Sequence, residues 1–521
     1  MGIARRLGLV VWVCSLFGLI SSQINPWSLA QSNDRIIQGH FSRSAWIARH
    51  AGEVRFSGGV LPSTVASSVR KLPPLPAGEI PSGQLSVMAA DVGTTPAVQV
   101  SSDLLPTDSS AQPATHVEPY LDVDPNNTAG LLGVWQENRF ANGGARASGY
   151  GASSDGGQTW TSGLIPHSTT ASGGAWERAS DPWVAFGSNN RAYFSALLFN
   201  ESNSNSAVGV SVSTDGGVTW GDPVNVTFSN LDFSDKEAVV VDTFPTSPHF
   251  GTVYVAWDLN VPNATMVKQW MMVAASTDGG ATYQEPVKVR KKGAGNIGGI
   301  PRVGPDGAVY VVWLGNSAGG SVFFISKSDD GGQTWTRWRA ITDVNANSEQ
   351  GIRDGAGLPS FTIDPETGNL YVAWQDSRFG ATDQATLIKS SDGGKTWSDP
   401  VRVSDGPADA AAFTVSVAAS GNHVAVSYYS LQNDPQRRFL VDRYVRISTD
   451  GGATFSPSLR ATANSFDIRS AAQAGQGVSF LGDYAGLAPA AGQFHLLWIN
   501  SGIPSTVTGK PQPEALTAST Q

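Results

Sequence analysis

Six times the chain repeats one eight-residue phrase: Ser153 to Trp160, Ser213 to Trp220, Ser276 to Tyr283, Ser328 to Trp335, Ser390 to Trp397 and Ser448 to Phe455. Recurrence at a near-constant period marks a repeat architecture. The aspartates of the phrase (Asp155, Asp215, Asp278, Asp330, Asp392 and Asp450) stand 52 to 63 residues apart, which is room for one four-stranded sheet and its loops. Asp-Gly-Gly between two strand-like runs is a hairpin turn. Glycine takes the positive φ that such turns need, and the aspartate oxygens accept backbone N–H groups a few residues on. All six aspartates are therefore expected to be structural.

A second register of the same repeat is an apolar run that ends on an aromatic in six of its seven copies: Leu131 to Trp135, Ala192 to Leu198, Val253 to Trp257, Val309 to Trp313, Leu370 to Trp374, Val424 to Tyr429 and Phe494 to Trp498. Alternating apolar and small residues bounded by Gly, Asp and Asn argue for strands, and helical periodicity is absent. The 58 glycines, 30 prolines and 16 tryptophans of this 521-residue chain fit such a fold. After the turns come short fourth strands, such as Pro223 to Val226, Pro286 to Val289 and Pro400 to Val403. A run of the same type, 96–101, stands before the first copy and has no turn of its own. The expectation is an all-β, seven-bladed β-propeller of four-stranded antiparallel blades over 96–500. The strand near 96–101 would close it as the outer strand of the last blade. Six blades is the competing count, and the third strand of the last blade is expected to be short or missing.

Around this core, 1–30 has Arg5 and Arg6, an apolar run from Leu7 to Ile20 and small residues near Ala30, the pattern of a signal peptide. The stretch 31–95 reads as an irregular leader or linker and 501–521 as a loose tail rich in Ser, Thr and Pro. Secretion or delivery to the periplasm follows, with no membrane span left once the signal is removed. The single cysteine, Cys14, lies in that leader, which excludes disulfides and thiolate chemistry from the mature chain. A net charge of −9 without long charged runs argues against nucleic acid as a partner. The seven histidines show no H-x-x-x-H pairing, so neither a metal nor another cofactor is expected. The oligomeric state is left open.

In a propeller, the starts of the first strands and the ends of the second strands meet on one face. The repeat alignment sends many charges there for a chain only 15% charged. At first-strand starts these are Glu118, Arg178 with Asp181, Asp235-Lys236-Glu237, Arg302, Arg353-Asp354 and Asp483-Tyr484. At second-strand ends they are Glu137 with Arg139, Asp258, Asp376 with Arg378, and Tyr428-Tyr429. Paired carboxylates divide acid and base roles when their surroundings separate their pKa values. A tyrosine beside a carboxylate can attack a sugar, and arginines grip a carboxylate as a fork. Asp181, Glu237, Asp483, Tyr484 and Tyr428 are the catalytic candidates; Arg139, Arg178, Lys236, Arg353, Asp376 and Arg378 are the substrate-binding candidates.

The six phrases match the pattern Ser/Thr-x-Asp-x-Gly-x-Thr-Trp, with Tyr283 and Phe455 as the only aromatic replacements. In this the chain resembles the Asp-box, or BNR, repeat of sialidases and related exported propellers. The stretch from about Pro96 to Asn500, with WQENRF, SDPW, DKE, VAWQDSR and FLGDYAGL, looks like the exported sialidase-like group. The resemblance implies a propeller acting on glycans or glycoconjugates, with hydrolysis of a terminal acidic sugar as by an exo-α-sialidase. The Arg-Ile-Pro motif of true sialidases is missing, and Gly299-Ile300-Pro301-Arg302 is its nearest phrase. The alternative is a non-catalytic propeller that binds a glycan or a protein on the same face.

Overall fold

The computed structural model describes residues 93–262, 267–290, 295–475 and 477–520. The expected signal peptide, and the expected linker up to residue 92, lie outside them. The described residues form an all-β molecule of antiparallel four-stranded sheets with no α-helix, only three short 3-10 turns.

Sheet one contains His116–Val123, Leu131–Arg139, Ala145–Ser153 and Thr161–Leu164, in that spatial order. Five further sets repeat the plan, with first strands Arg178–Phe186, Phe233–Val241, Ile297–Val303, Ser360–Ile363 and Ala412–Ser420. Each of the seven apolar runs forms part of the second strand of its sheet. The first strand of each sheet touches that of the next, and the first strand of the seventh, Gly486–Ala490, touches His116–Val123 of sheet one.

Sheet seven differs from the expectation at its end. Gln493–Pro504 is followed by Pro511–Ser519, a nine-residue third strand where a loose tail and a short or missing strand were expected. Composition misled there. The Ser, Thr and Pro content hides a strand buried from Pro513 onward, and its Glu514 is only 1% exposed because it faces His116. Val98–Gln99 then pairs with Pro511–Ser519 as the fourth strand, Val98 opposite Thr517 and Gln99 opposite Leu516. Asp103 braces the preceding turn by accepting from the hydroxyls of Ser505 (2.9 Å) and Thr506 (2.8 Å).

The repeated phrase is the link between third and fourth strands, and its hydrogen bonds recur. In the first copy the Ser153 hydroxyl donates to Asp155 Oδ1 (2.8 Å), Thr159 N–H donates to Oδ1 (3.0 Å), and Gly157 N–H donates to the serine oxygen (3.0 Å). The indole of Trp160 closes the turn on the carbonyl of Gly157 at 3.1 Å. The other five aspartates make the same bonds to their own Ser and Thr. All six are structural in this geometry.

Between the sheets lies the apolar core. Trp135, Trp257, Trp313, Trp374 and Trp498, on the second strands, are all at most 1% exposed. Three of their indoles are satisfied near the strand ends: Trp135 by Glu137 (3.1 Å), Trp374 by Asp376 (2.7 Å) and Trp313 by Asn296 (3.1 Å). Trp-x-Glu and Trp-x-Asp at strand ends therefore bury a tryptophan with its donor paired.

Candidate functional site at the inner strand starts

In five sheets the first strand breaks register at the same place, two residues in that strand facing one on the second. The first residue of each such pair is left-handed: Glu118 (φ 55°), Asp181 (φ 53°), Lys236 (φ 48°), Gly298 (φ 68°) and Thr414 (φ 48°). Only one of the five is glycine, and non-glycine residues adopt this conformation at a cost of order 1 kcal/mol or more. A bulge re-aims a side chain. Here it gathers Glu118, Asp181 and Lys236 into one interacting group.

Sheet seven reaches the same place by a close approach. The backbone N–H of Glu118 donates to the carbonyl of Leu481 at 3.1 Å. Gly482 follows at φ 141°, and a Cβ on it would lie 2.8 Å from the Cα of Glu118. This brings Asp483 and Tyr484 in. Arg353 arrives on the short strand Ile352–Arg353, which runs parallel to Ser479–Phe480, and forks onto Asp483 through Nε (3.1 Å) and Nη2 (2.5 Å). Arg139 stacks on the Phe480 ring at 4.2 Å and donates to Gln136 Oε1 at 2.8 Å; the Gln136 amide in turn donates to Glu118 and to Ser180 (3.0 Å).

Three carboxyls dominate the electrostatics. Burial, then the negative charges of Asp181 and Asp483, holds Glu118 well above the usual carboxylate range. Burial and Asp181 do the same to Glu237, against the weaker pull of its own backbone N–H and of Lys236; no other side chain donates to its carboxyl. Asp181 is raised by burial and Asp483 against the pull of Lys236. The cations respond in kind: burial and the neighbouring Arg353 bring Arg139 down to about 10. Tyr484 is pushed well above 10 by burial and the surrounding carboxyls, so its phenol is neutral and donates to the carbonyl of Pro182 at 3.1 Å. A neutral phenol is a poor nucleophile. As an attacking group Tyr484 would need one of the neighbouring carboxylates to take its proton.

Lys236 and Tyr484 share an aromatic box. The ammonium lies 3.6 Å from the centre of the Tyr484 ring and 5.0 Å from that of Trp183, and its Nζ has no hydrogen-bond acceptor. Trp183 stacks on Tyr120 at 3.5 Å, and Arg302 donates to the Tyr120 hydroxyl at 2.8 Å. These side chains leave a void of about 30 Å³, room for a water or two.

Of the eleven candidate residues, Asp181, Glu237, Asp483, Tyr484, Arg139, Lys236 and Arg353 come together here. The other four make their contacts elsewhere. Tyr428 is fully buried, stacked on Tyr444 with its hydroxyl 3.5 Å from Asp405, because strand alternation turns it into the sheet-packing layer. Arg178 donates to Asn142 (2.8 Å) and to the carbonyl of Gly143 (2.7 Å) and stacks on Phe140. Asp376 and Arg378 fork onto each other (2.8 Å), and Asp376 also accepts from Asn345 N–H (3.1 Å). Both fasten a strand end. Arg302, expected at a strand start, sits near the far end of Ile297–Val303, because Gly298 holds the bulge position of that sheet.

Gln136, Tyr120 and Trp183 complete the group and escaped sequence reasoning, which followed charge. Trp183 belongs to the phrase Ser-Asp-Pro-Trp, and its place two residues after the bulge was the available signal. Among the described residues one cluster has ligand-like spacing for a metal: Asp103, His116 and Glu514. His116 there lies between two buried carboxylates, Nε2 at 2.9 Å from Glu137 and Nδ1 at 3.0 Å from Glu514. Burial opposes its charge, but the two glutamates outweigh it and raise the imidazole well above 6.5. The cluster is an ion-pair bridge.

No family model matches the sequence. A sialidase of Bacteroides fragilis is 33% identical over 98 residues, 16% of this chain and 18% of that protein. The chain thus matches less than a fifth of the length of that curated relative. Among solved structures, a sialidase of Trypanosoma rangeli in complex with the inhibitor DANA is 12% identical, covering 81% of this chain and 59% of its own at TM-score 0.44. A GH93 α-L-arabinofuranosidase of Fusarium graminearum in complex with arabinobiose is 16% identical, covering 64% and 92% at TM-score 0.42.

Proposed function

We propose that the seven sheets close into a single β-propeller of the Asp-box type and that the protein is an exported glycoside hydrolase working at its central mouth. Contacts between successive first strands, from sheet one round to sheet seven and back, support the ring. The repeated turns and the 98-residue similarity to a sialidase support the glycan-directed reading. Delivery to the periplasm or the exterior is part of the same proposal and rests on the leader sequence.

The observation that carries the catalytic reading is Glu237. A fully buried carboxyl that receives no hydrogen bond from another side chain is a net loss to stability, and its presence beside Asp181 and Lys236 is explained by proton transfer. In hydrolysis Glu237, held protonated, delivers its proton to the leaving oxygen as the glycosidic C–O bond breaks. Asp181 takes a proton from the water whose oxygen bonds to the anomeric carbon. The Lys236 ammonium, lacking an acceptor, supplies positive charge for a terminal acidic sugar such as a sialic acid. Fluorogenic sialosides and other acidic and neutral glycosides test the reading. Turnover that falls at least 100-fold in Asp181→Ala and in Glu237→Gln supports it; no turnover of any glycoside by a folded wild type removes it.

A second reading is favoured by the size of the axial void, about 30 Å³, which is too small for a sugar ring in this conformation. On that reading the protein binds a glycan or a protein on the same face without chemistry. Saturable binding on a glycan array with no released product distinguishes it.

A further inference from the structure

Between the fourth and fifth sheets the chain runs through Asn345-Ala346-Asn347-Ser348-Glu349-Gln350, in which only Ala346 is apolar and Asn345, Asn347, Ser348 and Gln350 are exposed. It forms no strand. Its alternate backbone N–H groups instead donate to carboxyls of the sheets beneath: Asn345 to Asp376 (3.1 Å), Asn347 to Asp383 (2.8 Å) and Glu349 to Asp354 (2.8 Å). Arg438, from the sixth sheet, holds Glu349 by an ion pair. A segment fastened by a few polar bonds and little apolar contact opens far more readily than the strands around it.

This segment covers a cavity of about 290 Å³, lined by Asn347, Ser348, Glu349 and Gln350 and by Ala411 and Phe413 of the sixth sheet. That is close to the lower bound, about 300 Å³, of small-molecule pockets; the axial void beside it is only about 30 Å³. Asp354 and Gln375 line both spaces, and the segment holds both. The Gln375 amide nitrogen donates to the carbonyl of Asn347 (3.2 Å), to Asp383 (3.2 Å) and to Asp354 (3.0 Å). Its oxygen accepts from Thr414 N–H (3.1 Å), the left-handed bulge residue of sheet six. The wall between the two spaces is thus tied to the segment at one end and to a bulge of the mouth at the other.

Both ends of the segment are suited to a pivot. The carbonyl of Asn345 accepts from Ser377 N–H (2.9 Å) and from its hydroxyl (2.6 Å), which anchors one end. At the other end Gly351 lies at φ 73°, in a turn closed by Ile352 N–H on the carbonyl of Glu349 (3.0 Å). A few such loop positions are enough to absorb a hinge motion.

We propose that 346–350 is a hinged strap: when it lifts, Gln375 and Asp354 are released, and the cavity and the axial void become one space with room for a sugar ring. The inference rests on the glycan-directed reading above for the occupant alone; the motion stands apart from it.

The test is hydrogen exchange of the full chain, read at single residues by mass spectrometry with electron-transfer fragmentation and corrected for intrinsic rates. The proteins are wild type, Arg438→Met and Arg438→Lys. In wild type the N–H groups of Asn347, Glu349 and Thr414 are expected to share one protection factor, lower by about 100-fold or more than those of Leu370–Asp376. Thr414 is the reporter, since it loses its acceptor only if Gln375 is released. Arg438→Met removes the ion pair and is expected to speed all three by about threefold or more, and Arg438→Lys to restore most of the protection. Exchange of Asn347 and Glu349 only together with the strands overturns the strap. So does a Thr414 N–H that stays protected while those two exchange, or an unchanged rate in Arg438→Met. Coupled opening in a protein that turns over and binds no glycoside leaves the strap standing and removes the glycan reading.

Discussion

Asp181 sits at φ 53° with its carboxyl fully buried. Side chain and backbone make separable contributions there. Asp181→Ala keeps the left-handed strain, whereas Asp181→Gly relieves about 1 kcal/mol of it. The glycine variant is therefore expected to have the higher urea midpoint of the two, and a midpoint equal to or below that of the alanine variant contradicts the strained bulge. Glu237 gives a pH-dependent counterpart. Its folded pKa is raised, so its stabilising protonated form is fully present below the unfolded value of about 4.5 and stability is lost as pH rises toward the folded value. Glu237→Gln removes that loss. The variant is expected to match or exceed wild type in melting temperature at pH 8 while gaining nothing at pH 4; a uniform loss at both would mean that the carboxylate is paired and ionised. Charge at strand starts was enough to pick out Asp181, Lys236 and Glu237 in the sequence, because bulges at a fixed repeat position aim them alike, and Asp483 joins them through the close approach at Gly482. It was misleading for Arg178, Asp376 and Arg378, since a charge at a strand end serves equally well to tie a loop or to satisfy a tryptophan.

The repeated turn and the closing strand are the elements that sequence made most and least legible. Each turn aspartate gathers Ser, Thr and backbone donors, and in Asp155, Asp278 and Asp330 these lower the carboxyl to about 2, the Thr hydroxyl first among them. A depressed folded pKa contributes stability above the unfolded value near 4 and loses it as pH falls through the folded one. Unfolding midpoints are thus expected to drop between pH 4 and 2, and Asp330→Asn should flatten part of that drop; an unchanged acid slope argues against the turn as its source. The turn joins third to fourth strand within one stretch of chain. That explains six turns for seven sheets: in the last sheet those two strands come from opposite ends of the sequence. Tail composition concealed the strand, because Pro511–Ser519 draws its burial from partners about 400 residues away, including Ser101, which donates to Glu514 at 2.6 Å. The His116 bridge fastens the same corner. With its folded pKa raised, that stabilisation is complete below about 6.5 and is lost as pH rises through the folded value, so His116→Gln is expected to lower the melting temperature at pH 6 more than at pH 9.

For the molecule as a whole, the proposed function needs charges far apart in sequence to meet at one mouth, and that in turn needs sheet seven to be stitched from Val98–Gln99 and Pro511–Ser519. Gln99 and Leu516 face each other across that seam. Neither residue belongs to the proposed site. The direct measurement is disulfide formation in a Gln99→Cys, Leu516→Cys double variant carrying Cys14→Ser. Near-complete cross-linking under mild oxidation is expected, with a melting temperature raised over that of the reduced form. Two thiols that stay free and equally reactive in the folded protein would mean that the ends do not join, and the shared mouth would not exist.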